Sequence, residues 1–338
     1  MTTDPPRLDE ASLPAHLRSL GLLRSGESAV IEAAGEGNIN WVRRVRAGAR
    51  SFVVKQARPA LERFPEYAAP TERIVCEARY YETVAALDEA GVCPAVIAFD
   101  EPARLLVLED LGDVPRLDAA PADGRDATAA AQRVARFLGA VHGATADQRT
   151  LAARFANDGM RRLHGDHVFD LPFRANDFPL PPAVRARAER IWADGRIAAI
   201  AAEAYQLYLA PAGALVHADV QGGNILLAAR GAVLLDAEIA HVGDPAFDLG
   251  TLFAHLWLGP VARGAAHAAD AAIHAAWRAY TAASAYADAP LHGRAVRYAA
   301  IEMLRRTLGA ARVAAVAEPA AALRVVDFAS ELLGVRPG

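Results

Sequence analysis

The sequence predicts an α+β protein of two lobes, a small one built on an antiparallel sheet and a larger one that is mainly helical. Three observations predict it. β-branched and aromatic residues alternate or cluster between glycine breaks through roughly the first hundred residues, the pattern of half-buried strands. From about residue 114 onward alanine-rich stretches of helical character take over, broken by one short segment of strand-like character at 213–244. The chain has 338 residues, 53% of them hydrophobic and 22% charged, which suffices for a core without staples and fits two bodies with a cleft between them.

Taken in order, the small lobe opens with a short helix through LPAHLRSL, with Ser12 as its cap and Gly21 as its stop. SAVIEAA, NINWVRRV and RSFVVKQA then read as a meander, broken at GEG (35–37) and at Ala47-Gly48. A helix follows through RIVCEARYYETVAAL, where Ile74, Val75, Ala78, Tyr81, Val84 and Leu87 fall near helical spacing, with Thr71 as cap and Gly91 as stop. VIAFDEP and RLLVLEDLG give a hairpin whose second strand runs into a crossover. The lobes are expected at 1–107 and 114–338, joined by a hinge at 108–113. In the larger lobe, ATAAAQRVARFLGAVHGA and PPAVRARAERIWADGRIAAIAAEAYQLYL read as helix. NILLA and AVLLD form two short strands about a turn at Arg230-Gly231.

Composition narrows the function classes. A net charge of −4 gives no footprint for nucleic acid or an anionic membrane. No stretch is long and uncharged enough to span a bilayer, since even RIAAIAAEAYQLYLAPAGALV carries Glu203 and Pro211. Cys76 and Cys93 make neither a disulfide framework nor a zinc quartet, and MTTDPPRLDE has no signal-peptide character, so a reducing cytoplasm is expected. Lysine occurs once, at Lys55, in a chain otherwise served by arginine. A compact ammonium kept there suits a point charge held between phosphate oxygens and a carboxylate.

The strand segment in the larger lobe carries the chemistry. His217-Ala218-Asp219 is followed by Asn224 five residues on and Asp236 twelve further, on a loop, strand, turn and strand. That order is a kinase catalytic loop followed by a metal-binding aspartate. Asp219 is the candidate base, one carboxylate facing an attacking hydroxyl. Asn224 and Asp236 are candidate Mg2+ ligands that a tight hairpin would bring to one ion, and Glu238 would point to the same side of an extended segment. Upstream, Gly35-Glu36-Gly37-Asn38 lies between two strands, where the backbone at Gly35, Gly37 and Asn38 can approach phosphate. Lys55 sits on the next strand and Glu77, on the helix after it, is its expected partner. No GxxxxGK[ST] occurs, so the other common phosphate cradle is absent.

On VHADVQGGNILL, LLDAEIAHVGDPAFDLG and the lobe order, the chain resembles the aminoglycoside phosphotransferase and choline kinase-like superfamily. Within it the chain is most similar to the 5-methylthioribose kinases, on GEGNINWVRRV, VVKQARP, HVFDLPFRAND (167–177), DAE where they have Asp-Pro-Glu, and EMLRRTLG (302–309). Its loop reads HADVQGGN where theirs typically reads HGDLHTGS, and Ala237 stands in the place of their proline. The resemblance implies a two-lobed protein-kinase-like fold, Lys55 on ATP phosphates, Asp219 as base, magnesium on Asp236 and Glu238, and substrate contacts from Arg305 and Arg306. ATP is expected in the cleft near Glu109 to Leu111. The reaction implied is transfer of the γ-phosphoryl group to an alcohol of a small molecule, a ribose-type sugar such as 5-methylthioribose. A homodimer is left open.

Other readings compete. A protein kinase needs a long activation segment, and only eight positions separate Asp236 from Asp244. An aminoglycoside kinase should offer its polycation an acidic pocket, which an arginine pair would repel. A choline kinase needs an aromatic cage, homoserine is a further acceptor in the same superfamily, and a pseudokinase would bind nucleotide without turnover. Asp248 reads as opening a helix and bracing the catalytic loop, His217 as an anchor of that loop, Trp41 as a core aromatic, and His164 and His167 as lying in a loop without a third metal ligand.

Overall fold

In the computed structural model, which describes residues 5–35, 40–60, 68–119, 126–286 and 289–335, the first lobe is a five-stranded antiparallel sheet. It is assembled from α1 (Leu13–Ser19), β1 (Val30–Ala33), β2 (Trp41–Ala47), β3 (Arg50–Gln56), α2 (Arg73–Val84), β4 (Val96–Asp100) and β5 (Leu105–Glu109), with strand order β1-β2-β3-β5-β4. Two-residue periodicity splits its side chains between two cores. Val45, Phe52, Val54, Leu105 and Val107 pack with Leu13, Leu17 and Trp41 on one face, while Leu106 and Leu108 join the main core with α2 on the other. Lys55 pairs across the sheet with Leu106, so its side chain emerges on the α2 face.

Two helix boundaries differ from expectation. Ser12 does not cap α1; its hydroxyl donates to the Asp9 carboxylate at 2.7 Å, which also accepts the amides of Ala11 and Ser12. Thr71 does not cap α2, which ends at Val84 and tightens into a 3-10 turn at Ala85–Leu87, short of Gly91. Asp88 takes over the turn by accepting the amides of Val92 and Cys93, both at 2.7 Å. The sheet also runs to Glu109, past residue 107, because Leu108 and Glu109 pair with Val53 and Phe52.

The chain then lays residues 115–118 along the catalytic segment, with the Leu117 amide on the Ile225 carbonyl at 2.8 Å and the Leu227 amide on that of Pro115 at 2.7 Å. The larger lobe comprises α3 (Thr128–Thr145), α4 (Arg149–Arg154), α5 (Asp158–Gly165), α6 (Pro182–Asp194), α7 (Arg196–Leu209), β6 (Ala214–Val216), β7 (Ile225–Ala228), β8 (Gly231–Leu234), β9 (His241–Gly243), α8 (Ala246–Ala262), α9 (Asp270–Ala283), α10 (Leu291–Leu308) and α11 (Pro319–Leu332). Besides the expected β7–β8 hairpin, three-residue strands β6 and β9 pair with each other; they are too short to show a period. Gly195, at φ +73°, divides the long helical stretch into α6 and α7. The HGDH segment, expected as a loop, is the end of α5 and a π-helical turn at Asp166–Asp170. Packing overrides its loop-like composition: Phe169 stacks on Tyr205 and meets Tyr208, Phe247 and Tyr298, and His164 Nδ1 bonds the Tyr208 hydroxyl at 3.2 Å.

α8 is buried almost all round, and α10 crosses it closely. A Cβ on Gly250 would stand 2.5 Å from Tyr298 Cβ and 2.7 Å from the Ala295 carbonyl, so glycine is what lets the two backbones meet. This crossing sets α10 beside the catalytic segment.

Candidate active site

Lys55 is 4% exposed and is surrounded by carboxylates. Its Nζ lies 2.7 Å from Glu77 Oε2 on α2, 2.6 Å from Asp236 Oδ1 and 3.9 Å from Glu238 Oε2. Burial works against the ammonium, but Asp236, Glu77 and Glu238 together outweigh it and hold Lys55 above the ordinary lysine value. For Glu77, fully buried, desolvation wins and pushes the carboxyl up to about 7 against the pull of Lys55.

The loop carrying Asp219 is held from beneath. Asp248, in the first turn of α8, accepts the amides of His217 at 2.8 Å and Ala218 at 2.7 Å and faces His142 Nε2 at 3.1 Å. Burial alone would raise its carboxyl, yet His142 and these donors hold it below the usual range. His217 Nδ1 accepts the Asp219 amide at 3.2 Å and its ring sits edge-on to Tyr80, with burial taking its value down to about 4. Asp219 itself is half-buried, and desolvation raises its carboxyl to about 6 even though Arg306 and Arg305 pull the other way. Asn224 Nδ2 donates to Asp219 Oδ2 at 2.7 Å and to the Asp219 carbonyl at 3.0 Å.

The β7–β8 hairpin returns the chain to that loop: Ile225 pairs with Leu234, and the Leu235 amide donates to the Asn224 carbonyl at 2.8 Å. Two residues of the site, Ala218 and Asp236, have φ of +66°, a conformation costly for any residue but glycine. Each is held by a bond on its own amide, to Asp248 and to the Tyr81 hydroxyl respectively. The segment after Asp236 is therefore a turn and not an extended strand. Glu238 is buried within it and accepts from Asn40 Nδ2 at 2.6 Å, with Arg73 Nε at 3.5 Å.

On α10, Glu302 is buried and binds both arginines: Arg305 Nη1 reaches its two oxygens at 2.9 and 3.1 Å, and Arg306 Nε donates at 2.6 Å. Arg306 is buried and Arg305 is partly so, so neither points freely into solvent despite being adjacent on the helix. Glu109 lies apart from this cluster: its carboxylate grips Arg230 with both oxygens and accepts the Ala95 amide at 2.7 Å, and its own amide donates to the Ala95 carbonyl at 3.0 Å. Leu111 follows, half-buried. Gly35 closes β1 at φ +67°, while Gly37 and Asn38 lie outside the described residues.

Four groups that sequence reasoning missed complete the arrangement. Tyr81 donates to Glu77 Oε1 at 3.1 Å and accepts the Asp236 amide, although it reads as a core position in the helical stripe. Asn40 and the fully buried Arg73 engage Glu238 across 198 and 165 residues, with nothing local to announce it. Glu302 did carry a signal, a carboxylate three and four residues before two arginines on a helix.

Asp236 Oδ2 and Asn224 Oδ1 take no protein donor among the described residues, and with Glu238, whose Oε2 already accepts from Asn40, they would supply an all-oxygen set of two carboxylates and an amide. That chemistry suits a hard divalent cation completing its shell with phosphate and water. Among the described residues no three His, Cys, Asp or Glu side chains gather as a self-sufficient metal site.

A five-stranded lobe whose lysine faces a helix glutamate, joined to a helical lobe whose HxD loop and hairpin aspartate converge beneath it, defines the class of two-lobed kinases. The chain belongs to the phosphotransferase enzyme family, which residues 30–286 match, and is a small-molecule kinase that transfers phosphate to an alcohol group. It is 26% identical over 267 residues to a methylthioribose kinase of Bacillus cereus, covering 76% of this chain and 67% of that protein. Its fold is similar to that of the choline kinase LicA from Streptococcus pneumoniae, with a TM-score of 0.54 and 16% identity over 96% of this chain and 98% of that one. It is also similar to that of the amicoumacin kinase hAmiN, in complex with AMP-PNP, Ca2+ and Ami, with a TM-score of 0.56 and 15% identity over 96% and 93%.

Proposed function

We propose that the protein transfers the γ-phosphoryl group of ATP to a hydroxyl of a ribose-type sugar such as 5-methylthioribose. The observation that carries the acceptor class is the α10 cluster. Two arginines beside Asp219 share one buried carboxylate, Glu302, so the wall of the acceptor site is weakly cationic. Such a wall repels polycationic acceptors and tolerates a neutral sugar. Similarity to methylthioribose kinases over three quarters of the chain supports the same reading.

In this mechanism Asp219 orients the acceptor hydroxyl through its free Oδ1 and takes its proton late, since a loose phosphoryl-transfer transition state asks for little abstraction. Lys55, kept in place by Glu77, reaches the nucleotide phosphates. Asn224, Asp236 and Glu238 are the residues that would hold Mg2+, which when bound neutralises phosphate charge. The main chain from Glu109 to Leu111 and the backbone at Gly35 would border the nucleotide. The test is ATP consumption by the purified protein with 5-methylthioribose, kanamycin, choline or homoserine. Turnover with 5-methylthioribose and none with kanamycin is expected; efficient kanamycin turnover would overturn the acceptor assignment and leave the kinase chemistry standing.

A further inference from the structure

Arg306 and Arg305 are adjacent, yet they are wired differently. Arg306 Nη2 donates to Gln221 Oε1 at 2.7 Å, and Gln221 Nε2 donates in turn to Asp219 Oδ2 at 3.0 Å. Arg305 spends Nη1 on Glu302, and its Nε and Nη2 make no bond among the described residues. The Gln221 amide can be placed only one way, because a flip would set NH2 against the guanidinium and oxygen against the carboxylate. Asp219 Oδ2 is then saturated by two amide donors, from Gln221 and Asn224, and Oδ1 is left for the substrate.

We propose that Gln221 is a positioning residue that relays Arg306 to Asp219, so that Arg306 acts on the reaction through Gln221 while Arg305 is the arginine that meets the acceptor. This rests on the reading of Asp219 as the group that orients the acceptor. The rigid chain from Glu302 through Arg306 and Gln221 to Asp219 fixes one carboxylate rotamer. Losing it misplaces Oδ1 without removing any group that binds substrate. The loss therefore falls on kcat and leaves KM.

The experiment compares Gln221→Met, which keeps the length without the bonds, Arg306→Lys, which keeps charge beside Glu302 but cannot reach both partners, the double variant, and Arg305→Ala. With ATP and 5-methylthioribose, Gln221→Met and Arg306→Lys should each lose about 10- to 100-fold in kcat with both KM values within about threefold. The double should be no worse than the poorer single by more than about threefold, since both cut the same chain. Arg305→Ala should raise acceptor KM, and its loss should multiply with that of Gln221→Met. Multiplying losses for Gln221→Met and Arg306→Lys in variants that melt like wild type would overturn the relay, as would a loss confined to KM. If 5-methylthioribose is not turned over, the acceptor assignment fails by itself, and the series is read on acceptor-free ATP hydrolysis, where Asp219 orients water and the same non-additivity is expected.

Discussion

Lys55 sits among three carboxylate oxygens at 2.6, 2.7 and 3.9 Å, a space that fits one ammonium. A planar guanidinium is longer and needs a fork of partners, so Lys55→Arg should be nearly as inactive as Lys55→Ala in a steady-state assay; equal activity for Lys55→Arg would mean the single lysine has no special task. Asp219 carries a second prediction. Asp219→Asn should bind ATP with unchanged affinity by calorimetry while losing about 10²- to 10⁴-fold in turnover. Its carboxyl is raised to about 6 by burial and must be ionised to accept from the hydroxyl. kcat/KM should therefore fall as pH drops through about 6, and a profile flat down to pH 5 would contradict the assignment. These two residues were legible in the sequence because each stands in a contiguous signal, the HADVQGGN loop and a lone lysine on a strand. Tyr81, Asn40 and Arg73 were not, because their partners lie 155, 198 and 165 residues away or, for Tyr81, also four residues off on a helix face that reads as core.

At the scale of elements, the meeting of α8 and α10 decides where the arginine pair stands. Gly250→Ala would force Cβ to within 2.5 Å of Tyr298 Cβ, and the helices must part. An overpacked crossing of this kind costs about 1–3 kcal/mol, read as a lower Tm, and kcat should fall as well because Glu302, Arg305 and Arg306 ride on α10. A stable Gly250→Ala with lowered kcat would place the effect in the site; wild-type values for both would mean the crossing is looser than its geometry. Elements with strong local periodicity, β2, β3, α2 and α3, could be read from the sequence. The π-helical turn at 166–170 and strands β6 and β9 could not, since one is imposed by an aromatic cluster and the others are three residues long.

Across the whole molecule, buried imidazoles tie stability to pH. Burial lowers His217 to about 4 and His241 to about 3, and takes His164 well below its ordinary value. All three are neutral in the fold and gain a proton once unfolded below about pH 6.5, so the unfolded chain binds more protons there. Their contribution is whole above that value and is lost as pH falls from about 6.5 toward 4. Denaturant unfolding at pH 7.5 and 5.0 should show a lower midpoint at pH 5.0 with an unchanged m-value. Glu77 and Asp219, whose carboxyls are raised in the fold, oppose this over the same range, and a midpoint independent of pH would mean that they cancel the rings. The two-lobed architecture itself was legible, because strand patterning dominates roughly the first third of the chain and helical patterning the rest.

The lone lysine has a practical outcome for labelling chemistry. An acylating reagent aimed at ε-amines finds one such group in this sequence, and that group is sealed and charged, hence a poor nucleophile. Folded protein should resist ε-acylation, and the rate at which the label appears should report the opening of the cleft around Lys55 with no background from any other side-chain amine. Mass spectrometry of the peptide holding Lys55, which separates this label from one on the α-amine, would then serve as a clock for that motion.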